Sequence, residues 1–164
     1  MEIRLAVNTD LNDVLDIYNH EVKGDVATLD LQKKSLFEWK MWFQESANKG
    51  YSLYVAEVNG KVVGYAYFSA YRNKDSFSST VEIDVYVDTG YRNQGIATAL
   101  AEKLLQDGIN NPKLHMVVSV INSNNPVSTH MEEKFGFTHA GTVPEVAHKF
   151  GEYRGIEYYY RKLD

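Results

Sequence analysis

Tyr91-Arg92-Asn93-Gln94-Gly95-Ile96-Ala97-Thr98-Ala99-Leu100 follows a β-rich run over Thr80–Val87 and opens an amphipathic one over Ala97–Ile109. Asp88-Thr89-Gly90 supplies the turn between them. An arginine, a glycine three residues later and a small residue two further on make a loop of free backbone N–H groups at a helix N-terminus. The helix dipole favours a bound phosphate there. Gly95 lets a pyrophosphate reach the backbone where a side chain would block it. Two other phosphate motifs fail. Gly90 and Gly95 have Walker A spacing, but Ile96 stands where the lysine belongs, and no Gly-x-Gly-x-x-Gly follows a predicted strand. Read alone, the loop is equally a strand–helix turn with a glycine for tight packing.

Composition narrows the field. The chain has 164 residues, 44% of them hydrophobic, which fits one compact domain over residues 1–164 with a sizeable core. Its net charge of −5 argues against nucleic-acid and anionic-membrane partners, which call for a basic field. No apolar run approaches the roughly 20 residues of a membrane span. Met1-Glu2-Ile3-Arg4 leads into an acidic helix without an apolar signal core, so a cytoplasmic location is expected. The absence of cysteine removes disulfides, thiolate metal sites and a cysteine nucleophile together. His20, His115, His130, His139 and His148 lack metal-ligand spacing, so no metal is expected and packing or surface roles are their default. Without a Gly-x-Ser-x-Gly elbow, hydrolase chemistry has no anchor.

Strands and helices alternate along the chain. Ile3–Val7 reads as a strand; Thr9-Asp10 offers capping side chains to a helix carrying Leu11, Val14, Leu15, Tyr18 and Val22. Ser35-Leu36-Phe37-Glu38 has capping-box form and begins a second helix. Tyr51–Val58 and Val62–Tyr71 are joined by Asn59-Gly60, a strong hairpin signal. Met116–Ile121 reads as a buried strand, and Pro126 starts a helix that ends near Lys134. Ala140–Val146 and Ile156–Leu163 read as two last strands around a loop containing Gly151 and Gly155. The class is α/β (α+β), one domain with a mixed, largely antiparallel sheet.

Three segments together resemble the GCN5-related N-acetyltransferases. Arg92-x-x-Gly95-x-Ala97 is similar to their acetyl-CoA pyrophosphate loop. Tyr54–Tyr65 resembles their central hairpin, and Asn125-x-x-Ser128-x-x-Met131-Glu132-Glu133-Lys134-Phe135-Gly136-Phe137 their late helix motif. The resemblance implies a central sheet splayed at an acetyl-CoA site and flanked by helices. It implies acetyl-CoA held by the backbone of Val85, Tyr86 and Val87, by the loop Arg92, Asn93, Gln94, Gly95, Ile96, Ala97 and Thr98, and by Asn125, Ser128 and Lys134. A nearer resemblance, almost end to end, is to the phosphinothricin acetyltransferase group. Asn19-His20 followed by Ala27-Thr28-Leu29, Glu82 followed by Val85-Tyr86-Val87, and His148-Lys149-Phe150-Gly151 carry it.

Strand alternation puts Glu82, Asp84 and Tyr86 on one face and Val81, Ile83, Val85 and Val87 on the other. For Asp84 a wet polar face is a fair reading. Glu82, on a central strand, is expected to be desolvated, with a pKa suited to general-base work. The resemblance gives it the task of taking a proton from a substrate amine. Without cysteine, direct attack in a ternary complex is expected. Many family members carry a tyrosine acid where Glu132 stands, so the acid is unassigned. Arg72 or Lys74 could hold a substrate anion, or be solvated loop charges; Thr28, Phe77 and His148 complete the expected substrate side. Tyr158-Tyr159-Tyr160 reads as a covered strand or as a homodimer interface, the resemblance favouring homodimers. The expected activity is acetyl transfer to the amine of a small molecule such as phosphinothricin, methionine sulfone or methionine sulfoximine. The aromatic-rich loops at 27–43 and 146–153 point to a closed pocket, against a peptide acetyltransferase. A non-catalytic acetyl-CoA-binding module would keep the loop and not need Glu82.

Overall fold

The structure, a computed structural model, describes all 164 residues. Strand β1 (Glu2–Leu5) runs through a 3-10 turn at Asn8–Asp10 into α1 (Leu11–Gly24), and α2 (Leu36–Asn48) follows. The hairpin β2 (Leu53–Val58) and β3 (Lys61–Ala70) leads to β4 (Thr80–Val87), α3 (Ile96–Asn110), β5 (Met116–Asn122) and α4 (Pro126–Lys134). Strands β6 (Thr138–Lys149) and β7 (Glu152–Lys162) end the chain. The seven strands form one sheet in the order β1-β2-β3-β4-β5-β7-β6, with β4–β5 its only parallel pair. A mixed, largely antiparallel sheet was expected, and it is found. No helix is long and apolar enough to cross a membrane.

Local chemistry accounts for most boundaries. Ser35 and Glu38 form the reciprocal capping box, with Glu38 N–H on Ser35 Oγ at 3.2 Å and Ser35 N–H on Glu38 Oε2 at 2.6 Å. Asn59 and Gly60 both take positive φ, 51° and 78°, and close the β2–β3 hairpin in two residues. Asp10 departs from expectation. Its carboxylate accepts from Val7 N–H at 2.8 Å and from Arg4 at 2.7 and 2.9 Å, and it does not cap α1. The last hairpin also differs. Its strands continue through the stretch expected to be loop and turn only at Phe150-Gly151. Gly155 is a strand residue, the site where a Cβ would stand 2.8 Å from Ser123 Oγ.

The sheet buries a different core on each face. On one side α3 lays Leu100, Leu104 and Leu105 against Val63, Val81 and Val117. On the other, α1 and α2 pack Val14, Tyr18 and Trp39 against Val55, Tyr65 and Tyr86. The alternation expected for β4 holds. Val81 and Ile83 belong to the α3 core, while Tyr86 belongs to the α1–α2 core. Gly64 fixes how closely α3 approaches. A Cβ there would lie 3.1 Å from Leu100 Cδ1, 3.1 Å from the Tyr86 carbonyl and 3.2 Å from Ile96 Cγ2. The start of α3 is thereby pressed against the sheet beside β4. Gly64→Val is expected to lower unfolding free energy by about 2 kcal/mol through overpacking, read from the urea midpoint at unchanged m.

Candidate active site

The sheet opens where β4 and β5 part. They share only three rungs, Thr80, Val81 and Glu82 against Met116, Val117 and Val118. Beyond these β5 stays with β7 along its whole length, Met116 to Asn122, and leaves β4. On its other edge β4 is paired with β3 up to Val87. Asp88 N–H donates to the Val63 carbonyl at 2.8 Å, so the same phase of the antiparallel ladder gives Tyr86 and Asp84 to β3. Val85 and Val87 therefore turn their N–H and C=O groups into the splay. The cleft that results is lined by Asp84, Val85 and Tyr86 on one wall and by Ser119, Asn122 and Glu132 on the other.

Above the open end of β4 lies the N-terminus of α3. Gly95, at φ 78°, is its N-cap, and no side chain caps it. No atom lies within 4 Å of where a Cβ of Gly95 would be. By contrast, Ser35 caps α2 and Asn125 caps α4, accepting from Ser128 N–H at 3.1 Å. The first N–H groups of α3, at Ile96, Ala97 and Thr98, are thus left for an outside acceptor. Asn93 and Gln94 are exposed, and Asn93 takes a positive φ of 61°. These donors are of the kind that a phosphate group accepts from.

Arg92 is held by two acids far from it in the chain, which no local motif marks. Its Nη2 donates to Glu21 Oε1 at 2.5 Å and its Nη1 to Asp25 Oδ2 at 3.3 Å. Glu21 is only 1% exposed, and its Oε2 has no partner. Burial raises its pKa, with the guanidinium pulling the other way.

Asp84 and Glu132 line the cleft, and Glu82 stands on the last shared rung beside it. Glu82 is half-buried on the last paired rung and has its pKa raised by burial. Asp84 was expected to face water. It is instead partly buried and lines the cleft, with Tyr67 directly across the ladder. Desolvation first, and the Glu82 charge second, push its pKa up to about 7, while the Tyr67 hydroxyl works against that rise. Glu132 is buried and accepts from Ser119 Oγ at 2.6 Å; burial raises its pKa too.

The substrate-side segments meet in part. Thr28 is buried, its hydroxyl accepts from Asp30 N–H at 3.2 Å, and its carbonyl accepts from Lys149 Nζ at 2.7 Å. That bond joins the α1–α2 loop to the tip of the β6–β7 hairpin. His148, the residue expected here, is turned outward and meets Tyr153, ring centroids 5.0 Å apart. Strand alternation explains the exchange, since neighbours face opposite sides and Lys149 takes the inner one. Arg72 lies over the rings of Tyr71 and Phe77 at 5.2 and 5.9 Å and is exposed, as is Lys74. Neither lines the cleft. Phe77 is half-buried, and Lys134 is exposed over Phe135 at 5.9 Å.

Residues 11–137 match the acetyltransferase (GNAT) family. The phosphinothricin N-acetyltransferase of Streptomyces coelicolor is 34% identical over 99% of this chain and 96% of its own length. The L-methionine sulfoximine/L-methionine sulfone acetyltransferase of Salmonella typhimurium is 32% identical over 100% of this chain and 95% of its own. Among solved structures, the phosphinothricin acetyltransferase of Sinorhizobium meliloti in complex with acetyl-CoA superposes with a TM-score of 0.95 at 29% identity, covering 99% of this chain and 88% of that one. With more than half of its length matched, the chain belongs to the acetyltransferase (GNAT) family.

Proposed function

We propose that this chain is an acetyl-CoA-dependent N-acetyltransferase that acts on the primary amine of a small amino-acid-like molecule, of the phosphinothricin or methionine sulfone and sulfoximine type. One observation carries the reading: the splay between β4 and β5 runs from a desolvated glutamate to an uncapped helix N-terminus. Acetyl-CoA supplies an acyl thioester activated for attack by nitrogen. The N–H groups of Ile96, Ala97 and Thr98 bind its pyrophosphate, with Arg92 beside them. Val85 and Val87 pair with the pantetheine arm, and an N–H of this edge receives the developing oxyanion. Asn125 and Ser128 line the far wall. Glu82, as the general base, takes a proton from the substrate ammonium. The Lys149–Thr28 bond closes the substrate end, which favours a small amine over a peptide. The setting we infer is the cytoplasm.

Release of CoA thiol from acetyl-CoA in the presence of L-methionine sulfone or L-phosphinothricin is the direct assay. Saturable, amine-dependent release is expected. Release only with peptide amines would reassign the acceptor. Glu82→Gln is expected to lower kcat by about 10²–10⁴-fold while acetyl-CoA still binds by calorimetry. Unchanged turnover in that variant would sink the general-base assignment. A base must be ionised to act, and burial raises the Glu82 pKa. Activity should therefore fall, as pH drops, above the range of an ordinary glutamate.

We also infer a homodimer formed through the β6–β7 hairpin, which exposes Val143, Val146, Phe150, Tyr153 and Tyr160. Light scattering should give twice the chain mass, and Val146→Asp with Tyr153→Asp should return it to the monomer value. A wild-type monomer would exclude the arrangement.

A further inference from the structure

Acetyl transfer from a thioester to an ammonium group removes two protons from nitrogen. One reaches solvent and the other ends on sulfur. Glu82 accounts for the first, and the second needs a carrier of its own. Asp84 lies two residues from Glu82 on the same face of β4, about 7 Å along the strand. Glu82 is on the last rung shared with β5, whereas Asp84 is the first residue of that face beyond it. Asp84 lines the cleft and Glu82 does not. Across the cleft, Glu132 is already engaged by Ser119 at 2.6 Å.

We propose that Asp84 is the second proton carrier of the reaction, taking the proton that nitrogen sheds as the C–N bond forms and giving it to sulfur as the C–S bond breaks. The proposal rests on the acetyl-transfer reading above. Glu82 first accepts one proton from R–NH3⁺ and later loses it to solvent. The neutral nitrogen then attacks the carbonyl carbon and becomes cationic, and the Asp84 carboxylate takes its excess proton. The C–S electron pair leaves with sulfur, and Asp84 returns the proton there, regenerating its carboxylate. No oxidant or reductant is involved.

The groups facing Asp84 set where it titrates. They are Glu82 on its own strand, the Tyr67 hydroxyl on β3, Asp30 and Lys34 from the α1–α2 loop, and Tyr86 next along the face. Tyr67 is the lever, because its hydroxyl holds the Asp84 pKa down while desolvation and Glu82 hold it near 7.

The test is kcat against pH at saturating amine, by thiol release, for the wild type, Asp84→Asn and Tyr67→Phe. Acetyl-CoA binding and melting temperature are read alongside. Wild-type kcat should rise through an inflection near pH 7. Asp84→Asn should lose that inflection and at least tenfold of the plateau, with acetyl-CoA affinity kept. Tyr67→Phe, retaining the carboxyl and the ring, should move the inflection to higher pH. Where Asp84→Asn fails to fold, Tyr67→Phe decides alone. An Asp84→Asn profile like the wild type, or an inflection that Tyr67→Phe leaves in place, overturns the proposal. Such a result with Glu82→Gln still impaired leaves the acetyl-transfer reading standing. A wild type that releases no thiol with any amine overturns both.

Discussion

Everything at this site follows from a pairing that stops early. Strand β5 has two possible neighbours and divides itself unequally between them, with seven rungs to β7 and three to β4. The long antiparallel register with β7 fixes its course, so β4 loses its partner after Glu82. In a buried sheet such a loss would leave backbone donors and acceptors without partners, a cost that folded proteins avoid. Here the edge opens into a cleft where water or a ligand can satisfy it. Two consequences share this cause. Val85 and Val87 offer main-chain hydrogen bonds to an extended ligand, and Asp84 becomes the first acidic residue past the last shared rung.

The features legible in the sequence are those decided locally. The Ser35 capping box, the Asn59-Gly60 turn, Pro126 at the start of α4 and the glycine cap of α3 each depend on residues within four positions of one another. Their elements fall where expected. The alternation along β4 was legible for the same reason. Long-range partners were not. Arg92 reads as a phosphate ligand, yet Glu21 and Asp25, about 70 residues earlier, hold it. Lys149 meets Thr28 across 121 positions. Asp84 reads as a solvated strand residue until Tyr67 and the α1–α2 loop are brought over it. The Phe150-Gly151 turn lacks the usual asparagine signal, so the long last hairpin read as shorter strands around a loop.

The Arg92 arrangement also limits how the loop can work. A guanidinium shared by two carboxylates is positioned in advance, at a lower entropic cost for a later contact. Those same carboxylates oppose an incoming diphosphate. Glu21 is the more consequential of the two because it is buried with one oxygen unpartnered. Removing Arg92 from it altogether would strand a buried charge, which is costly. The bond to Glu21 is therefore the one the fold can least afford to lose. In this way the C-terminal end of α1, and the residue that follows it, are tied to the loop that leads into α3.

Strand β4 ties the chemistry to the fold most tightly of all. Its side-chain period is two, so a slip of one residue would exchange its faces. Glu82 and Asp84 would enter the core against Leu100 and Leu104, while Val81 and Ile83 would be left toward the α1–α2 side. Two carboxylates in that core could not find partners, and each would carry a desolvation penalty of several kcal/mol. The apolar face that holds α3 in place is thus what keeps the acidic face in register with the cleft. Gly64 adds the third constraint by pressing the start of α3 against the same strand. One packing solution therefore sets both the acidic face of β4 and the start of α3.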